Sequence, residues 1–478
     1  MSEQRAKSIE QRAKSGEQEA LSSMPTDRGW SFADCKPSDT GKWTHGYHRY
    51  PAKFIPQLVE KLFDEYISDG QAHINDPFCG CGTTIVAAIS RGFKASGTDI
   101  NRIAYLITKA KSTPIEPDYL DGKIGQFLFD ARCSTLDAGR ANPRLDRGHI
   151  EHQVSSIQYP DAQMTLWRKD VNPLIPERHI ERINYWFTEE NKTELGEILR
   201  IICQEEDETI RDFFLVAFSH ILKNCSIWLQ GSTKPTRDFK KRPARPYEAL
   251  KRHLKKMQKG NEAFYNIVPP KVRDNLDDYL NIKIADARRQ SVPDSSVDLI
   301  VSSSPYVTSY EYADLHQLST IWLDLAEDLT EYKKEFIGTS YKEYERKKLR
   351  SKLALDIVNK MLEKDQKMAK EIEAFFIDME EVFDESFRIL KPGGRCCYVI
   401  GGTKLKGVDI LNAEVFAESI QYSGFKLDRI IKREIPSKIL PQKRDEQTGR
   451  FASNDSADAE AYPAEYIVIG LKALSNEK

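Results

Sequence analysis

Residues 72–91 constrain the fold more than any other stretch. A short strand, Ala72-His73-Ile74-Asn75-Asp76, runs into Pro77-Phe78-Cys79-Gly80-Cys81-Gly82-Thr83-Thr84 and then a helical segment, 85–91. A strand, a glycine-rich turn and a helix make the nucleotide-binding unit of open α/β sheets. Gly80 and Gly82 let the backbone approach a ligand because they carry no Cβ. Two familiar loops are excluded. A dinucleotide fingerprint needs a third glycine that the segment from Gly80 to Ile85 lacks, and a phosphate loop needs Gly-Lys-Ser/Thr. The next strand, Lys94-Ala95-Ser96-Gly97-Thr98-Asp99, ends in a carboxylate. A lone strand-end Asp is usually a helix cap. Following a glycine loop at this interval, it is also placed to accept from ribose hydroxyls.

A second constraint lies far downstream. Val297-Asp298-Leu299-Ile300-Val301 is an apolar run of the kind that forms a parallel strand buried on both faces. It breaks into Ser302-Ser303-Ser304-Pro305-Tyr306, where small hydroxyls cannot fill a core and Pro305 denies the ladder a donor. Such a break puts polar groups and one aromatic ring at the carboxyl edge of a sheet, where these folds bind ligands. Ser and Pro are also ordinary turn residues, so the stretch alone does not decide its role.

Composition bounds what remains. A chain of 478 residues exceeds one ordinary core and suggests a large domain with an insertion, or two domains. Its hydrophobic fraction of 40%, charged fraction of 30% and mean hydropathy of −0.56 are those of a soluble protein. The net charge is only −2, so a nucleic acid would have to be met by a local patch. Eight cysteines lack paired CxxC spacing and read as reduced small hydrophobes, which implies a reducing cytoplasm and no metal. No run approaches membrane-spanning length. The first 40 or so residues open on a repeated Glu-Gln-Arg-Ala-Lys-Ser and read as a frayed or disordered tail.

Between about 114 and 274 the α/β rhythm stops. Helical spacing recurs at 195–203 and 210–221, followed by a basic run that includes Lys234, Arg237, Lys240, Lys241, Arg242 and Arg245. Phe239 and Tyr247 interleave with it, which suits a phosphate-contacting surface, although a charge run is often only a solvated face. The sheet resumes at 279–285, with Asp286 ending its third strand. Leu390-Lys391-Pro392-Gly393-Gly394-Arg395 reads as a tight turn before an apolar strand, 396–400, and 425–431 with 465–471 read as a closing hairpin.

Taken together, the motifs resemble the DNA amino-methyltransferases. Asp76-Pro77-Phe78-Cys79-Gly80-Cys81-Gly82-Thr83-Thr84 is close to that family's Asp-Pro-Phe-x-Gly-x-Gly-Thr-Thr cofactor loop. Ser303-Ser304-Pro305-Tyr306 is similar to its (Ser/Asp/Asn)-Pro-Pro-(Tyr/Phe/Trp) motif at three of four places, with Ser304 where the first proline stands. The stretch His45-Gly46-Tyr47-His48-Arg49-Tyr50-Pro51-Ala52-Lys53-Phe54-Ile55-Pro56 resembles its N-terminal cofactor motif. The resemblance covers about 41–113 and 275–472, and the region 114–274 matches nothing in it.

The resemblance implies a class I, Rossmann-like α/β fold: a seven-stranded, mostly parallel sheet with a largely helical insertion. The catalytic domain would be 41–113 with 275–478, and 114–274 would carry target recognition. S-adenosyl-L-methionine would be held by Lys53, Phe54, Asp76, Phe78, Gly80, Gly82, Asp99, Ile100 and Asp286. In the transfer itself, Ser303 and the Ser304 carbonyl would orient an exocyclic amine, Pro305 would fix the turn, and Tyr306 would stack on a base drawn from double-stranded DNA. Serine at the first motif position looks like the N4-cytosine branch. N6-adenine methylation stays open, as do RNA guanine-N2 methylation and a non-catalytic binder with a kept cofactor pocket. A separately encoded restriction endonuclease is the partner this family implies. His316 invites assignment as a base, but amine methylation needs no strong base before attack, and a helix histidine is more often structural.

Overall fold

The computed structural model describes residues 21–138, 172–338, 348–434 and 464–474, apart from residues 22, 51–53, 69, 233–234 and 308–311, together with four two-residue strand pieces. Its centre is a seven-stranded sheet. In chain order the strands are β1 (His73–Asp76), β2 (Lys94–Asp99), β3 (Leu280–Ile284), β4 (Val297–Ser303), β5 (Leu390–Gly401), β6 (Lys426–Arg433) and β7 (Glu465–Leu471). In space they run β6-β7-β5-β4-β1-β2-β3. All pair in parallel except β7, which is antiparallel to both neighbours.

The order places the site. The chain steps outward from β1 to β2 and β3, then returns to β1's other side as β4. Between β1 and β4 the crossovers diverge, leaving a crevice at the strands' carboxyl ends. Residues from both motif segments meet there because Ile74 pairs with Leu299 and Asn75 with Ile300.

The main helices are α1 (Pro56–Tyr66), α2 (Thr83–Ser90), α3 (Arg102–Ser112), α4 (Pro117–Ala138), α5 (Ile180–Trp186), α6 (Glu189–Cys203), α7 (Glu208–Cys225), α8 (Pro246–Ile267), α9 (Gln317–Trp322), α10 (Leu329–Lys333), α11 (Lys352–Leu362), α12 (Gln366–Ile389) and α13 (Asn412–Tyr422). The first half of the sheet and the helices α4 to α8 share one buried cluster, in which Ile74, Val86 and Ile107 sit with Phe213, Phe218 and Leu254. Polar ties cross the same boundary. Lys109 on α3 meets the buried Asp212 on α7 at 2.9 Å, and Asn261 on α8 pairs both backbone groups of Ile115. The inserted helices are therefore continuous with the α/β core. A second cluster, built on α11 to α13, covers the other face.

Two expectations need correction. The chain is folded well before residue 40: Trp30 is buried, Lys61 lies 4.3 Å from its ring, and Asp27 N–H donates to the Lys432 carbonyl at the sheet edge. A polar segment acquires order here because it docks on existing apolar surface. Residues 1–20 lie outside the described residues. Likewise 390–395 is no simple turn but the start of β5. Val297 pairs with Leu390 and Leu299 with Arg395, so the glycines form a bulge against β4. A Cβ on Gly394 would stand 2.9 Å from the Asp298 carbonyl oxygen, which explains the glycine as close backbone approach.

Among the described residues no helix is long and apolar enough to cross a membrane, and no His/Cys/Asp/Glu group could hold a metal ion.

Candidate functional site

Gly80 and Gly82 sit at φ +49° and +76°. Both are in the left-handed region that side chains disfavour. Gly82 is the N-cap of α2, and a Cβ there would lie 3.0 Å from the Thr108 side chain. Thr108 in turn donates to the Gly80 carbonyl at 3.0 Å, and the fully buried Lys111 donates to Cys81 O at 3.1 Å. The loop is thus held open by α3 beneath it. Gly82→Ala is expected to lower stability by about 1–2 kcal/mol through backbone strain alone, measured as a shift in the chemical-denaturation midpoint.

Two carboxylates flank this loop. Asp76 is 1% exposed and accepts from Ser302 Oγ at 2.6 Å and from Phe78 N–H at 3.1 Å. Burial pushes its carboxyl up to about 7, against the pull of those hydrogen bonds. Asp99 takes the Gly80 N–H at 2.8 Å on one oxygen and the Asn101 N–H at 2.9 Å on the other. Burial raises it to about 6. Each Asp99 oxygen keeps a further lone pair for a donor from a ligand.

These groups line an open cleft at the carboxyl ends of the strands. The cleft brings together Phe54, Asp76, Phe78, Gly80, Asp99, Ile100 and Asp286 with Ser303 and Pro305. Residues far apart in sequence form its walls because β1 and β4 are neighbours. Asp286 is gripped by Arg288, whose Nη2 meets it at 2.6 Å and which also pairs with the buried Asp378. Its direction in the cleft is fixed.

Several sequence candidates stand elsewhere. Gly82 shapes the loop without lining the cleft. Tyr306 is half-buried against the second core cluster and is not among the lining residues. Its hydroxyl donates to Glu465 at 2.9 Å, and Glu465 pairs with the buried Arg433 at 3.3 Å. Ser304 is 1% exposed, and its hydroxyl has no hydrogen-bond partner among the described residues. Lys53 and Lys234 lie outside the described residues.

The basic run divides by role. Lys241 donates to the Lys223 and Trp228 carbonyls, both at 2.7 Å, and burial pushes its amine down to about 8. Arg245 faces Glu190 at 3.4 Å and Glu194 at 3.7 Å. Lys240 and Arg242 are solvent-facing, and Arg237 is packed between two rings.

Tyr50, Glu335, Phe336 and Ile337 line the cleft as well, and none of them was assigned a role from the sequence. The last three follow α10, which Tyr332 pins by accepting the Arg102 N–H at 2.9 Å and donating to Asn101 Oδ1 at 3.1 Å. No local pattern in 329–337 signals this docking. Behind Tyr50 stand buried histidines. The His316 ring lies 4.7 Å from Tyr50, and His48 bonds Ser219 at 2.9 Å. Burial pushes His316 and His253 down to about 4, so both are neutral at physiological pH. A structural His316 agrees with this.

The chemistry on offer follows from these parts. The loop and Asp99 present backbone and carboxylate acceptors to a hydroxylated ligand. Phe54, Ile100, Phe336 and Ile337 offer apolar walls, and Ser303 adds a side-chain oxygen at the strand end.

Comparison with known proteins points the same way. Residues 2–110 match the model of the N6/N4 DNA methylase family. The Type II methyltransferase M.MvaI of Kocuria varians is 27% identical over 433 residues, 85% of this chain and 87% of that protein. The Type II methyltransferase M.BsoBI of Geobacillus stearothermophilus is 23% identical over 441 residues, 82% and 81% of the two chains. The crystal structure of TTHA0409 from Thermus thermophilus with S-adenosyl-L-methionine gives a TM-score of 0.22 at 18% identity. That match spans 41% of this chain and 56% of that one, too low a similarity to bear on the fold. The chain is a relative of the DNA amino-methyltransferases, with the N4 and N6 branches both open to it.

Proposed function

We propose that the protein methylates an exocyclic amine in double-stranded DNA, N4 of cytosine in preference to N6 of adenine, using S-adenosyl-L-methionine. One observation carries this reading: the glycine loop, Asp99 and Ser303-Ser304-Pro305 converge at the carboxyl edge of β1, β2 and β4. The cleft fits the cofactor's chemistry. Asp99 has free lone pairs for ribose hydroxyls, Gly80 permits close backbone approach, Ile100 and Phe336 would cover the adenine, and Phe54 would pack near the methyl donor. Asp286, held by Arg288, would face the adenine amine.

The bound cofactor supplies a methyl group made electrophilic by its sulfonium. The protein's own part is orientation. An exocyclic amine is a poor nucleophile because its lone pair is delocalised into the base. Ser303 Oγ would accept one amine hydrogen and the Ser304 carbonyl the other, turning the lone pair out of the ring. Pro305 fixes the turn that aims that carbonyl. Tyr306 is the candidate stacking surface for the extruded base, its ring anchored through Glu465. The departing proton would pass to water or to Ser303, which fits the neutral histidines behind Tyr50.

The serine at the first motif position favours the cytosine branch. Relatives that are Type II methyltransferases favour a place in restriction–modification beside a separately encoded endonuclease. The test is mass spectrometry of nucleosides from DNA of cells expressing the protein. N4-methylcytosine is the expected product. N6-methyladenine would move the protein to the other branch, and the absence of either modified base would overturn the reading.

A further inference from the structure

Residues 226–232 and 235–245 form an arm that methyl transfer does not use. The Asp238 N–H donates to Ile227 O at 2.7 Å and the Leu229 N–H to Thr236 O at 2.8 Å, with Trp228 bridged to Arg237 between them. Trp228 is buried and stacks on Trp186 of α5, centroids 5.0 Å apart. Lys241 closes the base of the arm through its three acceptors, Gln230 Oε1 at 3.2 Å being the third. Lys223 ties the arm to the end of α7 by donating to Ser232 O at 2.8 Å.

This rigid base displays an unusual surface. The Arg237 guanidinium lies 4.1 Å from the Tyr185 ring centroid and 4.4 Å from that of Phe239. Phe239 is 76% exposed and Tyr185 50%. An ordered, solvent-facing aromatic pair around an arginine is what binding surfaces select for, and fixing it in advance lowers the entropy lost on binding. Its charge indicates the partner. Arg237, Lys240 and Arg242 lie together here, while the Arg245 charge is already offset by Glu190 and Glu194. The arm's own acid, Asp238, caps the Lys240 N–H at 3.0 Å.

We infer that the Tyr185–Arg237–Phe239 stack docks on duplex DNA, the rings meeting sugars and base edges while Lys240 and Arg242 meet phosphates. This rests on the DNA reading above. It also narrows the contact surface to part of the basic run, with Lys241 as scaffold. Planar guanidinium stacking and aromatic wedging are established ways of gripping nucleic acid.

The experiment uses the full chain and a labelled duplex of random sequence, with binding followed by fluorescence anisotropy across a salt series. Phe239→Ala is expected to weaken binding roughly five- to a hundredfold with its salt slope unchanged, as loss of an aromatic contact should. Lys240→Gln combined with Arg242→Gln is expected to reduce the slope by about two. Both variants change solvent-facing side chains, and retained calorimetric binding of S-adenosylmethionine confirms the fold. Parental affinity and slope in all variants would overturn the inference while leaving methyl transfer intact. A change from oligomer to monomer on Phe239→Ala in sedimentation would also overturn it, by making the stack an interface between copies. A parent that neither binds duplex nor methylates DNA overturns both this inference and the reading beneath it.

Discussion

Asp99→Ala is expected to weaken S-adenosylmethionine binding by at least about five- to 150-fold, the equivalent of the roughly 1–3 kcal/mol that stranded buried donors cost. The ligand's hydroxyls are only part of the loss. Asp99 also accepts the Gly80 and Asn101 N–H groups, so alanine frees the glycine loop and the start of α3 together. Asp99→Asn should sit between, since an amide can accept one of those hydrogens but presents its own donors to the other. Isothermal calorimetry on the three proteins checks the order, and equal affinities would remove Asp99 from the site.

The same residue should give binding a pH dependence. Hydroxyl donors prefer the ionised carboxylate, and the free protein holds Asp99 raised to about 6. Affinity should therefore fall as pH drops through about 6 and level off above it, and Asp99→Asn should flatten this profile. Folding stability has the opposite sign. Asp76 and Asp99 are both raised above the ordinary carboxylate value of 3.8, to about 7 and about 6. Between about 4 and 7 the unfolded chain has lost these protons while the folded one retains them, so their contribution to stability declines as pH rises. The cleft is under most electrostatic strain at neutral pH, where it would bind its ligand.

What could be read from the sequence was what local chemistry dictates. Gly80 and Gly82 announce positive φ, a requirement of the backbone at those positions. Ser303 announces itself by following an apolar run, and Asp99 by closing the strand after a glycine loop, since a strand's last residues leave the core at the ligand edge. The closing hairpin was equally plain from its apolar strands. Other features depend on contacts that no window contains. Glu335, Phe336 and Ile337 reach the cleft only because Tyr332 docks on Asn101 and Arg102 across some 230 residues. The helices of 114–274 show in their periodicity, but their union with the sheet depends on pairs such as Lys109–Asp212. The basic run misleads for a related reason. Spacing does not distinguish a lysine facing solvent from one, like Lys241, whose amine is used up on buried carbonyls. The glycines at 393–394 read as a turn because a bulge needs the same residue type.

Ser303→Ala should reduce methyl transfer by about two orders of magnitude, the scale expected when a reacting group loses its orientation, while cofactor affinity holds. The hydroxyl lies at the last residue of β4, inside the cleft, whereas the structure around it is set by the backbone pairing of Ser303 with Val399. Alanine keeps that pairing, so the loss should appear in the rate of transfer and not in stability. Ser304 is the internal contrast. Its hydroxyl is buried without a hydrogen-bond partner among the described residues, which is unfavourable in itself, and the proposed chemistry uses only its carbonyl. Ser304→Pro removes the stranded hydroxyl, keeps the carbonyl and stiffens the turn. Transfer should change by only a few fold in either direction. The assay is transfer from labelled donor to duplex DNA, with parent and both variants at saturating cofactor. An inactive parent revived by Ser304→Pro would mark a lapsed enzyme whose turn no longer aims the carbonyl. An active parent unaffected by Ser303→Ala would instead leave the amine to be held by the Ser304 carbonyl without help from the Ser303 side chain.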